Sequence, residues 1–403
     1  MMRAPRAVLF PQHQPDRVWC FNDPTAVLQG GSENWGRLQT WLDENHRDLF
    51  CDLPEPDRLL VGGFAYDGSY FFEAYDRVEV QPIRALYAGM EPGDVPTPLY
   101  SAGKLEIRQG MDRAAYCAMV QQAREHIAAG NIYQINVSRS FSLEVPGIQP
   151  WDFFRLLAWT TQAPCAAMMP FGDAILCSSS PELFLRIDGR HIQTCPIKGT
   201  RPRDRDALRD QQNAHALITS PKEQAELVMI TDLERNDLGS ICEYGSVRVT
   251  ELLRHQAFSH VHHMISRVEG TLRPDVGMVE AVQKCFPGGS ITGAPKRKAM
   301  ELIQSLEPEP RGIYTGALGY FGSDGSAQFN IAIRTCELRG ASVRFFTGSG
   351  ITWDSDAEEE FAESAHKAAG MIESLERYVS WRANQPDEET RPVRELGESS
   401  GKK

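Results

Sequence analysis

At 403 residues the chain is long enough for one large folded unit or two to three smaller ones, with a substantial core. Hydrophobic residues make up 41% and charged residues 24%, an ordinary balance for a globular protein, and no apolar run is long enough to span a bilayer, so a membrane partner is not expected. The net charge of −12 argues against a nucleic-acid partner, which needs clustered Lys and Arg, but leaves a small anionic substrate open, because local charge decides that.

The N-terminal segment MMRAPRAVLFPQHQP has too short and too polar an apolar patch for a signal peptide. Nine scattered cysteines without CxxC spacing predict reduced thiols and a cytoplasmic setting, with Cys285 a small buried hydrophobe. Residues 1–110 read as strands and turns, in which VGGFAYDGSYFFE (61–73) is a strand followed by an aromatic turn. Asp112 is placed to cap a helix whose apolar face is Tyr116, Met119, Val120, Ala123 and Ile127, with Gly130 at its end. IYQINVSRSFSLEV follows as a strand. Tyr133, Ile135 and Val137 share one face, and Gln134, Asn136 and Ser138 the other, which is either solvated or lines a site.

Chemistry-bearing segments come next. In SSSPELFLR (178–186), Glu182 stands directly before Leu-Phe-Leu. An apolar setting would raise its pKa and make it a general acid; a strand-edge glutamate is the plainer reading. In CPIKGTRPR (195–203), Lys198 is a nucleophile if it sits in a confined turn that lowers its pKa, although an exposed lysine is the commoner fate. PKEQAELVMITDLERNDLG (221–239) reads as an interior helix with Glu223 and Glu226 on one face; taken alone, the pair is most simply solvated. HVHHM (260–264) invites a zinc reading, but no matching Cys or distal His cluster accompanies it, which favours His263 as a donor lining a site.

FPGGSITGAPKRKAMELI (286–303) places Pro295 near a helix start after a Gly-rich turn whose amides suit a carboxylate or phosphate; it is not a P-loop. GIYTGALGYF, GSDGSA and QFNIAIRTCEL read as a hairpin turning at Asp324-Gly325, and VRFFTGSG continues the meander. A long helix is expected from about Ala357 to Val379, with Glu360, Glu363 and Lys367 on one face. An i to i+4 Glu363–Lys367 bridge, worth only ~0.3–0.5 kcal/mol, is the bland account of that face. The functional account is that it meets the Glu223/Glu226 face across a cleft, where two carboxylates suit octahedral Mg²⁺. Beyond residue 380 the pattern fades, and 381–403 reads as a disordered tail. Strands beside strands with helices between groups predict α+β with antiparallel sheets.

Taken in order, GNIYQINVSR, SSSPELF, PIKGTRPR, AELVMITDLERNDLG, FPGGSITGAPKRKAM, RGIYTGALGYF, FNIAIRT and GSGITWDSDAEEEFAESAHKA resemble the chorismate-utilising enzymes, across residues 130–370. The resemblance implies two large antiparallel sheets stacked face to face with helices outside, residues 1–110 forming a weakly matching N-terminal part and 111–380 the chorismate-binding catalytic region. It implies Glu226 and Glu363 as direct Mg²⁺ ligands, and Glu223 and Glu360 as outer ligands through water. Tyr314, Arg334 and Lys367, with backbone near Ser290, Gly348 and Gly350, would hold the substrate carboxylates, and His263 would face the ring.

Two positions sort the members of that family. Gln134 stands where isochorismate and salicylate synthases carry a lysine base, which favours ammonia over water as nucleophile. Lys198 stands where anthranilate synthases carry Ala, and lysine there marks aminodeoxychorismate synthase component I; anthranilate synthase component I is the alternative. Glu182 as acid and Lys198 as nucleophile follow from the same resemblance. No glutaminase loop is apparent, so ammonia is expected from a glutamine amidotransferase subunit. Leu183 departs from the Arg usual in SPERF, and Ser364-Ala365-His366 from the usual context before Lys367.

Overall fold

A computed structural model describes residues 4–45, 58–90, 105–258 and 261–383. Two ten-stranded antiparallel sheets dominate it. The first runs Gly293–Ala294, Gln134–Glu144, Ser342–Ile351, Thr335–Arg339, Ala174–Ser180, Cys165–Phe171, Ala7–Leu9, Arg17–Phe21, Glu79–Pro82, with Arg108–Gln109 also against Gln134–Glu144. The second runs Ile197–Pro202, Val261–Thr271, His191–Cys195, Leu183–Asp188, Ser326–Ile331, Ala317–Gly322, Leu59–Phe64, Tyr70–Tyr75, Ala26–Gly30, with Arg248–Ala257 also against Val261–Thr271.

Period-two alternation explains how both faces of each sheet are buried. In Leu59–Phe64, Leu59 and Val61 enter a core between the sheets, while Leu60 and Phe64 enter an outer core under helices. Trp19, Met169 and Leu176 of the first sheet meet Val61, Tyr75 and Tyr320 of the second. The Trp19 and Tyr320 rings lie 5.1 Å apart across the gap. Helices Gly36–Asn45 and Met278–Cys285 cover the second sheet through Leu38, Leu42, Val279 and Val282. Helices Pro150–Thr161 and Ala357–Ala383 cover the first through Phe153, Leu157, Met371 and Tyr378. This is the α+β sandwich expected.

Most local expectations hold. Asp112 caps Arg113–Ala128 by accepting from the Ala115 amide (2.8 Å), and Tyr116, Met119, Val120 and Ala123 are buried. The hairpin joining Ala317–Gly322 to Ser326–Ile331 turns at Gly325, φ +86°. Cys285 is buried, and the cysteines among the described residues are free. No helix among the described residues is long and apolar enough to cross a membrane.

Three expectations need correction. QFNIAIRTCEL is not one strand, and VRFFTGSG does not continue a single meander. The chain leaves the second sheet after Ile331 and enters the first at Thr335, bending at Arg334, which takes a positive φ of 51°. VGGFAYDGSYFFE is a full hairpin, Leu59–Phe64 against Tyr70–Tyr75. The last helix runs to Ala383 with Trp381 buried, because Trp381 packs on the same core as Tyr378. The remainder of the predicted tail lies outside the described residues.

Candidate active site

The cleft forms where one edge of each sheet meets two helices. Ser220 and Pro221 start helix Pro221–Gly239, which lays Leu227 and Ile230 inward and turns Glu223 and Glu226 toward strand Ile197–Pro202. Helix Ala357–Ala383 approaches from the other side, and Lys222 Nζ stands 3.6 Å from Glu360 Oε1 between the two. The Glu363 charge acts on Glu223, so the two glutamate faces look into one cleft.

Glu226 is the centre. Its Oε1 accepts from Lys198 Nζ (2.8 Å) and from Gln134 Nε2 (2.7 Å). Lys198 also donates to the Ser290 carbonyl (3.2 Å), which accepts from Asn136 Nδ2 as well (3.0 Å). The polar face of strand Gln134–Glu144 therefore lines the site instead of facing solvent. Gly350 is required there, since a Cβ would fall 2.6 Å from Gln134 Nε2 and 2.8 Å from Glu226 Oε1. Gly199, at φ +69°, is required by backbone and by space alike: a Cβ would meet Leu217 at 2.5 Å and Glu223 at 3.0 Å.

Lys367 pairs with Glu363 (2.6 Å) and also donates to the Gly348 carbonyl (2.9 Å), so the bland bridge exists and is tied to the cleft wall. Glu360 is buried; its Oε1 accepts from Ser355 (2.8 Å) and its Oε2 has no hydrogen-bond partner. Tyr314 stacks on Phe346 at 5.3 Å. The Arg334 guanidinium has no hydrogen bond or ion pair among the described residues, and its strained backbone sits at the crossover between the sheets.

Burial sets the protonation of this site, except where a partner outweighs it. Burial pushes the Glu182 carboxyl up, against the nearby Ser290 hydroxyl and the Lys198 charge. The Ser290 hydroxyl closes no hydrogen bond. Burial and then the Glu226 charge push Glu223 up, and burial pushes Glu360 up, with Glu363 adding to it. Burial would raise Glu226, but the Lys198 charge and the bonds from Lys198 and Gln134 hold it below its ordinary value. Burial pushes Tyr314 up to about 12. It lowers His263, so the ring is neutral near pH 7; Gly199 O can only accept, which assigns the proton to Nδ1 (2.8 Å) and leaves Nε2 open.

One expectation is reversed. Burial does push Lys198 down, but Glu226, Glu182 and Glu363 outweigh it, and the amine of the ligand-free chain is held above its ordinary value. A lysine in a confined site is depressed only where burial outweighs the carboxylates that face it.

Sequence reasoning missed two groups. Arg311 and Glu307 form a buried pair behind the site (2.8 Å), holding the Asn136 and Ile291 carbonyls. Glu234 is buried two turns beyond Glu226. Its signal was available: it falls on the same stripe as Leu227, Ile230, Thr231 and Leu238.

The chorismate binding enzyme family matches residues 88–373. An aminodeoxychorismate synthase of Streptomyces griseus is 40% identical over 292 residues, covering 72% of this chain and 40% of that protein. An anthranilate synthase component 1 of Streptomyces coelicolor is 40% identical over 291 residues, covering 72% of this chain and 55% of that one. The chain thus spans about half the length of the curated relatives it matches. In structure it is similar to anthranilate synthase component I from Streptococcus pneumoniae, with a TM-score of 0.74 and 27% identity over 92% of this chain and 93% of that one.

Proposed function

This chain belongs to the chorismate binding enzymes, and we propose that within them it acts as aminodeoxychorismate synthase component I. On this reading it converts chorismate and ammonia to 4-amino-4-deoxychorismate and water, with the ammonia supplied by a glutamine amidotransferase subunit. The observation that carries the reading is Lys198: it stands inside the carboxylate cluster, on Glu226, and not on the surface.

Chorismate carries two carboxylates. Arg334, which lacks a partner among the described residues, meets one of them with Tyr314 and Lys367. Glu226 and Glu363 would hold Mg²⁺, backed by Glu223 and Glu360. The fit rests on the partnerless Glu360 Oε2 and on two carboxyls, Glu223 and Glu360, that burial first and neighbouring carboxylates second push up. No three His, Cys, Asp or Glu groups among the described residues converge as a closed metal cage. An open site of one or two carboxylates completed by water and substrate is what Mg²⁺ takes. When bound, the ion supplies positive charge to the ring carboxylate.

Glu182 gives its proton to the C4 hydroxyl, which leaves as water while the Lys198 amine bonds to C2. Ammonia then bonds to C4, the C2–N bond breaks, and Lys198 leaves with its electron pair. Lys198 must first lose its extra proton; release from Glu226 removes the largest of the influences that raise the amine, while burial still pushes it down. His263 presents Nε2 to the ring, and Gln134 offers no base to activate water.

Anthranilate synthase component I is the second reading, favoured by relatives of that name at the same identity. Incubation with chorismate, Mg²⁺ and ammonium separates the two by product mass and fluorescence. Aminodeoxychorismate supports the first reading, and anthranilate replaces it with the second. Lys198→Ala should shift residual product toward amination at C2; aminodeoxychorismate at the wild-type rate would reduce Lys198 to a structural lysine.

A further inference from the structure

Behind the cleft lies a titratable group that the proposed chemistry does not use. Glu234 is 6% exposed and its Oε2 accepts from Thr194 Oγ1 at 2.7 Å. Glu182, 4% exposed, faces the backbone amide of Ile197, three residues along from Thr194. One short segment, Thr194–Ile197, therefore anchors both carboxyl groups. The turn Gly289-Ser290 joins them a second time: Gly289 packs on the Glu234 side chain, with its Cβ position 3.6 Å from Cγ, and the neighbouring Ser290 hydroxyl, buried and unpartnered, lies by Glu182.

A way out to solvent continues from there. Asp237 follows Glu234 by one helical turn, on the same face. It is 15% exposed and pairs with Lys296 at 2.6 Å, which also donates to the Cys285 carbonyl. Exposure rises along the series Glu182, Glu234, Asp237, so the row leads from the cleft floor toward water.

We propose that Glu234 is the proton reservoir behind Glu182, returning a proton to it after each turnover and refilling from solvent past Asp237. The inference rests on the reading of Glu182 as the general acid. Glu234 touches no substrate and acts through Glu182. The Glu182 O–H bond breaks as the leaving hydroxyl becomes water; the Glu234 O–H bond breaks as that of Glu182 re-forms. The proton shed when bound ammonia becomes a neutral amine returns through solvent to Glu234, which closes the balance.

The charges around Glu234 agree. Burial, then Glu182 and Asp237, push its carboxyl up to about 8 against Thr194 and Lys296, so it holds its proton at neutral pH. Cys195 and Cys285 also face it, and both thiols are themselves pushed up by burial, so neither is a competing acid there.

The test follows chorismate consumption with ammonium and Mg²⁺, whichever product forms. Glu234→Gln keeps the shape but carries no acidic proton. It should show a burst of one turnover at the wild-type rate, on the proton already resident on Glu182, and then a steady state about ten-fold slower in kcat, with kcat/KM unchanged and KM lower in proportion. Thr194→Val removes a hydrogen bond that favours the ionised form, so it should move the alkaline limb of the kcat profile to higher pH. A Glu234→Gln enzyme with wild-type steady-state kcat, or one slowed equally in its first turnover, overturns the reservoir, as does an unmoved limb in Thr194→Val. Glu182→Gln must be slow from the first turnover; if it is not, the general-acid reading itself fails and takes the reservoir with it.

Discussion

Two buried ion pairs stand near each other, and they are built differently. Arg311 and Glu307 are 2% and 5% exposed, and every donor has an acceptor: Glu307 twice, Asn136 O, Ile291 O and Thr315 Oγ1. Glu307 also accepts from the Ser138 amide and hydroxyl. Around Lys198 and Glu226, each 13% exposed, Gln134 Oε1, Ser290 Oγ and Glu360 Oε2 are left without partners. The first pair is saturated and pins three chain segments together; the second keeps unsatisfied capacity for a ligand. An unpaired buried polar atom costs ~1–3 kcal/mol, so the working pair stores cost that the scaffold pair does not.

Four variants would break or sharpen that contrast. Glu226→Gln keeps the shape of the working pair but not its charge. Turnover of chorismate should fall by about 10³-fold, with the melting temperature nearly unchanged; near-normal activity at low Mg²⁺ would remove Glu226 from the proposed Mg²⁺ site. Arg311→Met strips the scaffold pair and leaves Glu307 buried and unpaired. It should cost about 3–5 kcal/mol, read by urea unfolding, and a stability within error of wild type would show the saturation to be ornamental.

Glu234 belongs to neither class, and pH distinguishes it. Its folded carboxyl titrates at about 8, above its ordinary value near 4.5. Between those values the unfolded chain has released a proton that the folded chain keeps, so stability falls as pH rises and levels off above about 8. Glu234→Gln should lose that slope and be more stable than wild type at pH 8 by an amount on the order of a few kcal/mol. Parallel stability profiles for the two proteins would contradict the assignment. The smallest effect is expected from Arg113→Ala. Its partner Glu358 lies on the helix of Glu360 and Glu363, but the pair is exposed, and neither melting nor turnover should change measurably.

The sequence was legible where a single element carried the signal. The apolar stripe of Arg113–Ala128, the cap at Asp112 and the turn at Asp324-Gly325 were readable because period and turn chemistry are local. The glutamate pairs can be placed on helix faces, but the reading that those faces meet across a cleft stands beside the plainer one of solvated pairs until the family resemblance is added, since spacing along a chain says nothing of what lies opposite. The switch of sheets at Arg334 does leave a mark, one the strand reading passed over: the apolar positions run Phe329, Ile331 and Ile333, then Cys336 and Leu338, a slip of phase at Arg334-Thr335. Lys198 was misjudged in its charge because the carboxylate that holds its proton comes from a helix 28 residues on, while the lysine sits on a strand.

The order of strands in the first sheet has a consequence for how the chain reaches this state. Ser342–Ile351 lies between Gln134–Glu144 and Thr335–Arg339, and Ala7–Leu9 pairs with Cys165–Phe171. This interior strand, third of the nine in the row, is thus contributed after all the others described have been synthesised. Contacts this distant in sequence make closure slow. Until Ser342–Ile351 emerges, Gln134–Glu144 and Thr335–Arg339 present bare backbone edges, open to pairing with any other nascent strand. The long interval between making Glu144 and docking Ile351 therefore leaves one edge of Gln134–Glu144 open to wrong pairing, and a ribosome stalled within it would hold a chain in need of a chaperone.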